Sequence, residues 1–228
     1  MKTVVIADIH LKRKDDNKDA VVKFLKNIVV KYDKLIILGD FFEFWFGFKD
    51  IIIYDYFEIL HEFKNLINKN IDIIYIEGNH DFCLGDFIEH LGVKIFSESY
   101  QFEINDKKFL AIHGDTINIE NDKFYAKLRK FLRSNFAIFL MNNLPVSLIL
   151  KIADKFSNAS RKYLYKEHNL KNIIKSFKYK EEYDIVLSGH FHQNFSFENF
   201  YIIGDWKEQL NYLTIDDKGL INYQIFNP

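Results

Sequence analysis

Five apolar runs in this chain each stop at side chains suited to holding a metal ion. Their endings are Asp8-Ile9-His10, Gly39-Asp40, Gly78-Asn79-His80-Asp81, His113-Gly114-Asp115 and Gly189-His190-Phe191-His192. Of the eight histidines, five (His10, His80, His113, His190 and His192) fall at these junctions. In open α/β sheets ligands collect outside the carboxyl ends of the strands, so loops far apart in sequence can share one crevice. A fold that suits this chain must bring those loops to one place.

The spacing of apolar residues says how. Thr3–Ala7, Leu35–Leu38 and Ile71–Ile76 are short β-branched runs. Helical spacing separates them: Ala20–Val30 puts Val21, Phe24, Leu25 and Ile28 on one face, and Ile52–Ile67 does so with Phe57, Leu60, Phe63, Leu66 and Ile67. Strands alternating with helices indicate βαβ units and a parallel sheet. Further strands are expected at Val93–Phe96, Gln101–Ile104 and Lys108–Ile112, with Asn105-Asp106 as a hairpin turn. Helical spacing resumes from Asn121 to about Lys175. Strands return at Tyr183–Leu187, Phe195–Phe200, Tyr201–Ile203, Leu210–Ile215 and Leu220–Phe226, the last two joined by a turn at Asp216–Gly219. The expected architecture is one α/β domain over residues 1–228, a two-sheet sandwich. A helical insertion at 121–175 lies between the fourth and fifth metal-binding motifs.

Composition excludes several classes. At 48% hydrophobic and 17% aromatic residues the chain is not disordered. One cysteine, Cys83, leaves no intrachain disulfide framework and fits a reducing compartment. No window offers the ~20 apolar residues of a spanning helix. A cytoplasmic protein is expected.

Each junction alone is a weak signal, since an Asp at a strand end is commonly a cap or a turn residue. Together they form a donor set. Asp8 and His10, two apart on an extended chain, project to the same side, and so do His190 and His192. The donors are oxygen and nitrogen without thiolate, which favours Mn²⁺, Fe²⁺, Zn²⁺ or Co²⁺. Seven candidates exceed the need of one ion and suit two ions about 3.5–4 Å apart.

In order, D-x-H, G-D, G-N-H-D, H-G-D and G-H-x-H resemble the motifs of the calcineurin-like metallophosphoesterase family, from residue 8 to residue 192. The resemblance implies an α/β/β/α sandwich and phosphoester hydrolysis with two divalent ions, Mn²⁺ first and Fe²⁺, Zn²⁺ or Co²⁺ as alternatives. It places Asp8, His10, Asp40 and His192 on one metal and Asn79, His113 and His190 on the other, with Asp40 bridging. His80 would be a catalytic imidazole outside the ligand set, and Asp81 its orienting partner.

The insertion speaks to substrate. Lys123–Lys166 carries ten Lys or Arg against one acid, Asp154, a net +9 in a chain whose total is −1. Within it Phe136–Leu150 is uncharged and contains Pro145, which kinks or ends a helix. Two readings stand: a buried helical hairpin with a solvated basic face, or an apolar lid over the metal site whose basic flanks suit acidic headgroups or a phosphorylated amphiphile. The aromatic cluster Phe41–Phe48 reads as core before it reads as a ligand platform.

Gly39-Asp40-Phe41-Phe42-Glu43-Phe44-Trp45-Phe46-Gly47, His113-Gly114-Asp115-Thr116 and the placement of the helical insertion are similar to the UDP-2,3-diacylglucosamine pyrophosphohydrolase branch of lipid A synthesis. That resemblance implies cleavage of UDP-2,3-diacylglucosamine to UMP and 2,3-diacylglucosamine 1-phosphate. It also implies substrate contacts at Asp122 and Ser160, and peripheral contact with the cytoplasmic face of the inner membrane. No nucleic-acid partner is expected. The alternative is a soluble phosphomonoester or phosphodiester such as a nucleotide.

Overall fold

Alternate residues of the first strands go to two different cores. In β1 (Thr3–Ile6), β2 (Lys34–Ile37) and β3 (Asp72–Ile76), Val4, Ile6, Leu35, Ile37, Ile73 and Tyr75 pack with the buried side chains of α1 (Lys18–Ile28) and α2 (Phe57–Asn68). Val5, Ile36 and Ile74 face the other way, onto a second sheet. This period of two, with both faces covered, is why these strands are almost wholly apolar. The computed structural model describes all residues except 29, 48–50, 118, 161–166 and 205; at 121, 155–160, 167, 168, 180 and 208 it describes the backbone alone.

The first sheet has six strands in the order β11-β10-β1-β2-β3-β4, where β4 is Lys94–Phe96, β10 Asn211–Ile215 and β11 Ile221–Ile225. β1 to β4 are parallel, and α3 (Asp86–Leu91) connects β3 to β4. The second sheet has the order β5-β6-β7-β9-β8, with β5 Ser99–Ile104, β6 Lys107–Ile112, β7 Ile185–Ser188, β8 Phe195–Phe197 and β9 Phe200–Ile202. Between β6 and β7 the chain passes through α4 (Lys123–Leu132), α5 (Asn135–Asn143), α6 (Val146–Ser160) and α7 (Glu167–Ser176). Leu170 and Ile174 of α7 pack with Leu110, Val186 and Phe200 on the outer face of the second sheet. The layers therefore run helix, sheet, sheet, helix.

Turn chemistry follows the sequence. Asn105 and Asp106 both have positive φ, 52° and 61°, as a two-residue hairpin between β5 and β6 requires. α5 ends at Asn143, before Pro145, and meets the first part of α6 at 117°. Among the described residues no single helix is long and apolar enough to cross a membrane.

Two expectations are corrected, and one element is added. Phe57 is 60% exposed: α2 begins there, after a 3₁₀ turn at Tyr54–Tyr56, and Ile59 joins Leu60, Phe63 and Leu66 on the inward face. The strand expected at Phe195–Phe200 is two, since Glu198 adopts a positive φ of 57° and turns the chain between β8 and β9. A short helix at Trp206–Gln209, α8, was not legible in the sequence; it seats the fully buried Trp206 against Phe24.

Candidate active site

The loops after β1, β2, β3, β6 and β7 converge where the two sheets meet. Asp8, His10, Asp40, His190 and His192 all have left-handed backbones, with φ between 48° and 73°. Such conformations are unfavourable for residues with a Cβ and persist where surrounding structure over-determines them, commonly at functional sites. The side chains of Asp8 and His10 are thus aimed by left-handed turns beyond the end of β1, and those of His190 and His192 beyond β7. Alternation along an extended strand, the geometry expected from spacing, is not what aligns them. Gly78 permits the closest approach: a Cβ there would lie 2.5 Å from the backbone nitrogen of Asp40.

Asp40 stands at the centre. Its Oδ2 lies 3.6 Å from His10 Nε2 and 3.5 Å from His113 Nε2, while Oδ1 accepts the His80 N–H at 2.8 Å. His10 stacks on the His192 ring at 4.8 Å and meets the His80 ring edge-on at 4.7 Å. On the other side Asn79 Oδ1 sits 2.9 Å from His113 Nε2 and 3.1 Å from His190 Nδ1. One ligand atom each from Asp8, Asp40 and His113, and from His10, Asp40 and His80, lies within 4.8 Å of the others in its group. The structure brings all seven expected ligands into one connected cluster.

The donor set fits divalent cations. Both oxygens of Asp8 are buried with no well-formed hydrogen-bond partner among the described residues, which is costly unless a cation stands beside them. His113 Nδ1 is engaged with the Leu38 carbonyl at 2.7 Å, leaving Nε2 for a metal, and His10 Nδ1 lies 3.7 Å from the Glu43 carboxylate. The Leu38 carbonyl on the far ring nitrogen fixes the tautomer and orientation of His113 as a ligand.

Charge is arranged to match. Burial works against ionised Asp40, but the imidazoles of His113, His80 and His10 outweigh it and hold the carboxyl well below its usual range. Burial pushes Asp8 up to about 6 against the pull of His192 and His113. In His113 burial opposes the proton, yet Asp40, Asp115 and Asp8 carry it up to about 9. Burial, with the neighbouring His113, drives His190 down to about 4.

The role expected of Asp81 is corrected. Its fully buried carboxylate accepts the backbone N–H groups of Asp40, Phe41, Phe42 and Gly78 at 2.7–3.1 Å, and the Tyr75 hydroxyl. Burial, then the charge of Asp40, raises its pKa. It knots the β2 and β3 loops together and makes no hydrogen bond to His80. The partner of His80 is instead the Glu43 carbonyl, 2.9 Å from Nδ1, which leaves Nε2 for a ligand.

α4 is docked on these loops. Asp115 accepts from Tyr125 Oη and Arg129 Nε, both at 2.8 Å, and Arg129 reaches on to Glu98 at 3.0 Å. Arg133 donates to the Gly78 carbonyl at 2.8 Å and lies over the Phe82 ring at 5.1 Å. These two arginines of the basic stretch face inward, so its basic face is not wholly solvated. Between α4 to α6 and the metal loops lies an apolar cavity of 420 Å³, with Asn79, His80 and Phe82 on one wall and Leu128, Leu132, Leu140, Met141 and Ile149 on the other. Phe41, Phe42, Trp45 and Phe46 are core, Phe44 is half-buried at the cavity, and Phe48 lies outside the described residues.

Asp122, expected to contact substrate, caps α4 instead, accepting the Tyr125 N–H at 2.8 Å. Ser160 ends α6 and its side chain lies outside the described residues. Glu43, Tyr75, Asp115, Arg129 and Arg133 are not among the site residues expected from the sequence. The four-residue spacing of Arg129 and Arg133, on one side of a helix, was the available signal.

A family model for calcineurin-like phosphoesterases matches residues 1–194. Over 99% of its length the chain is 31% identical to a UDP-2,3-diacylglucosamine hydrolase of Psychromonas ingrahamii, covering 97% of that protein. Proteins with the same name from Vibrio atlanticus (92% of this chain, 91% of theirs) and Shewanella piezotolerans (96% of each) are both 29% identical to it.

Proposed function

The chain belongs to the calcineurin-like phosphoesterase family, and from that membership we propose that it hydrolyses UDP-2,3-diacylglucosamine to UMP and 2,3-diacylglucosamine 1-phosphate. The observation that carries this reading is the apolar cavity beneath α4 to α6, which opens directly onto His80 and Asn79. A cavity of 420 Å³ lined by Leu, Met and Ile suits acyl chains and does not suit a free nucleotide. The relatives with that name span nearly the whole chain, insertion included.

Asp8, His10, Asp40 and His192 would hold one divalent cation and Asn79, His113 and His190 a second, with Mn²⁺ the ion of choice. Bound there, the two ions supply the positive charge that favours ionisation of a water and neutralises phosphoryl oxygens. The protein does the rest. Asp40 sets the spacing of the two ligand groups, held by the knot that Asp81 ties. His80, with Nδ1 committed to the Glu43 carbonyl, offers Nε2 to the departing phosphate oxygen as charge builds there. The apolar insertion acts as a lid that excludes water from the acyl chains and, by its exposed Phe136 and Phe139, as the face that meets a membrane surface.

Release of UMP from UDP-2,3-diacylglucosamine by the Mn²⁺-loaded protein, followed by chromatography, tests the proposal. Turnover of a simple aryl phosphate with no UMP release from the lipid substrate would overturn it.

A further inference from the structure

A second cavity, of 530 Å³, adjoins the apolar one and shares Glu43 and Phe44 with it. Its character is opposite. Lys12, Arg13 and Lys14, two residues on from the metal-loop residue His10, line it together with Asp55 and Asp154, and the half-buried Phe44 borders both spaces. Arg13 is held by Asp154 of α6 at 3.1 Å, so this pocket lies between the β1 loop and the insertion. Glu43 ties it to the metal cluster, its carboxylate standing 3.7 Å from His10 Nδ1.

A mixed lining of this kind selects for a mixed ligand. A bare anion would meet the carboxylates, and an acyl chain would strip water from charged groups it cannot hydrogen-bond. A nucleoside 5′-phosphate satisfies both: its phosphate meets the basic run, its ribose hydroxyls donate to carboxylates, and its base finds an aromatic ring in Phe44. The volume falls within the range of about 300–1,000 Å³ usual for small-molecule sites. The two cavities therefore meet at Glu43 and Phe44 as a polar and an apolar half.

We infer that this polar cavity receives the nucleoside monophosphate half of the substrate, with Lys12, Arg13 and Lys14 as its phosphate contacts. The inference rests on the substrate reading above for its physiological meaning. Acyl chains then lie on one side of Phe44, the nucleotide on the other, and the scissile pyrophosphate at the metals between them.

Titration of the Mn²⁺-loaded protein with UMP by calorimetry tests it without any turnover. The expected result is binding that weakens about tenfold in the Arg13→Ala/Lys14→Ala double variant and is unchanged in Lys23→Ala, an exposed lysine of α1. The same double variant should raise KM for UDP-2,3-diacylglucosamine about tenfold while kcat moves little. UMP that fails to bind the wild-type protein, or binds the double variant equally well through the metals alone, overturns the inference even if the lipid substrate is hydrolysed. Variant-sensitive UMP binding without hydrolysis of the lipid substrate supports the site and sinks the substrate reading instead.

Discussion

Asp81 shows how one buried carboxylate can shape a site without touching a reactant. Four backbone N–H groups of the loops that carry Asp40 and Asn79, and the phenol of Tyr75 in β3, converge on it. Removing the acceptor strands five donors in a buried place, each costing on the order of 1 kcal/mol or more. Asp81→Ala should therefore lose about 3–5 kcal/mol of stability, measured by denaturant unfolding of the metal-free protein. A loss below about 1 kcal/mol would mean the knot is not structural. In sequence the residue was visible as part of G-N-H-D, but its direction was not. Adjacency to His80 suggested a partner, and the turn of the backbone gave the carboxylate to other loops.

Among the elements, α4 to α6 wall the apolar cavity proposed to hold the acyl chains. The expected break at Pro145 is present, and the apolar run on either side of it lines a cavity on one face while leaving Phe136 and Phe139 65% exposed on the other. An apolar wall that holds acyl chains should be intolerant of charge. Met141→Asp is expected to raise KM for UDP-2,3-diacylglucosamine at least tenfold, since a carboxylate in contact with a chain costs about 1–3 kcal/mol. Hydrolysis of p-nitrophenyl phosphate, which has no chain, should move far less; equal effects on both substrates would argue against a lid. The helical period of these segments could be read from sequence. Their docking could not, because Arg129 and Arg133 are spent on Asp115 and on a backbone carbonyl that only the fold supplies.

At the scale of the whole molecule the site is a seam. Asp8, Asp40 and Asn79 come from loops of the first sheet, and His113, His190 and His192 from loops of the second. Metal binding must displace the proton that His113 keeps up to about 9. Mn²⁺ affinity, measured by calorimetry, should thus rise about tenfold per pH unit from pH 6 towards 9 as one proton is released. Below about 6 the slope should steepen, because Asp8 then takes up a proton as well. An affinity flat across this range would remove His113 from the ligand set.

The fold class and the candidate donors were legible in the sequence itself. Period-two and period-3.6 patterns are local, and a chain with five Asp- and His-bearing strand ends has few ways to use them. What tertiary structure alone decided is direction: left-handed turns aim Asp8, His10, His190 and His192, a buried carboxylate ties loops instead of orienting an imidazole, and a basic run meets a helix to wall a second cavity. Those outcomes depend on which groups lie across from one another in space. Contacts between residues far apart in the chain leave no period to read.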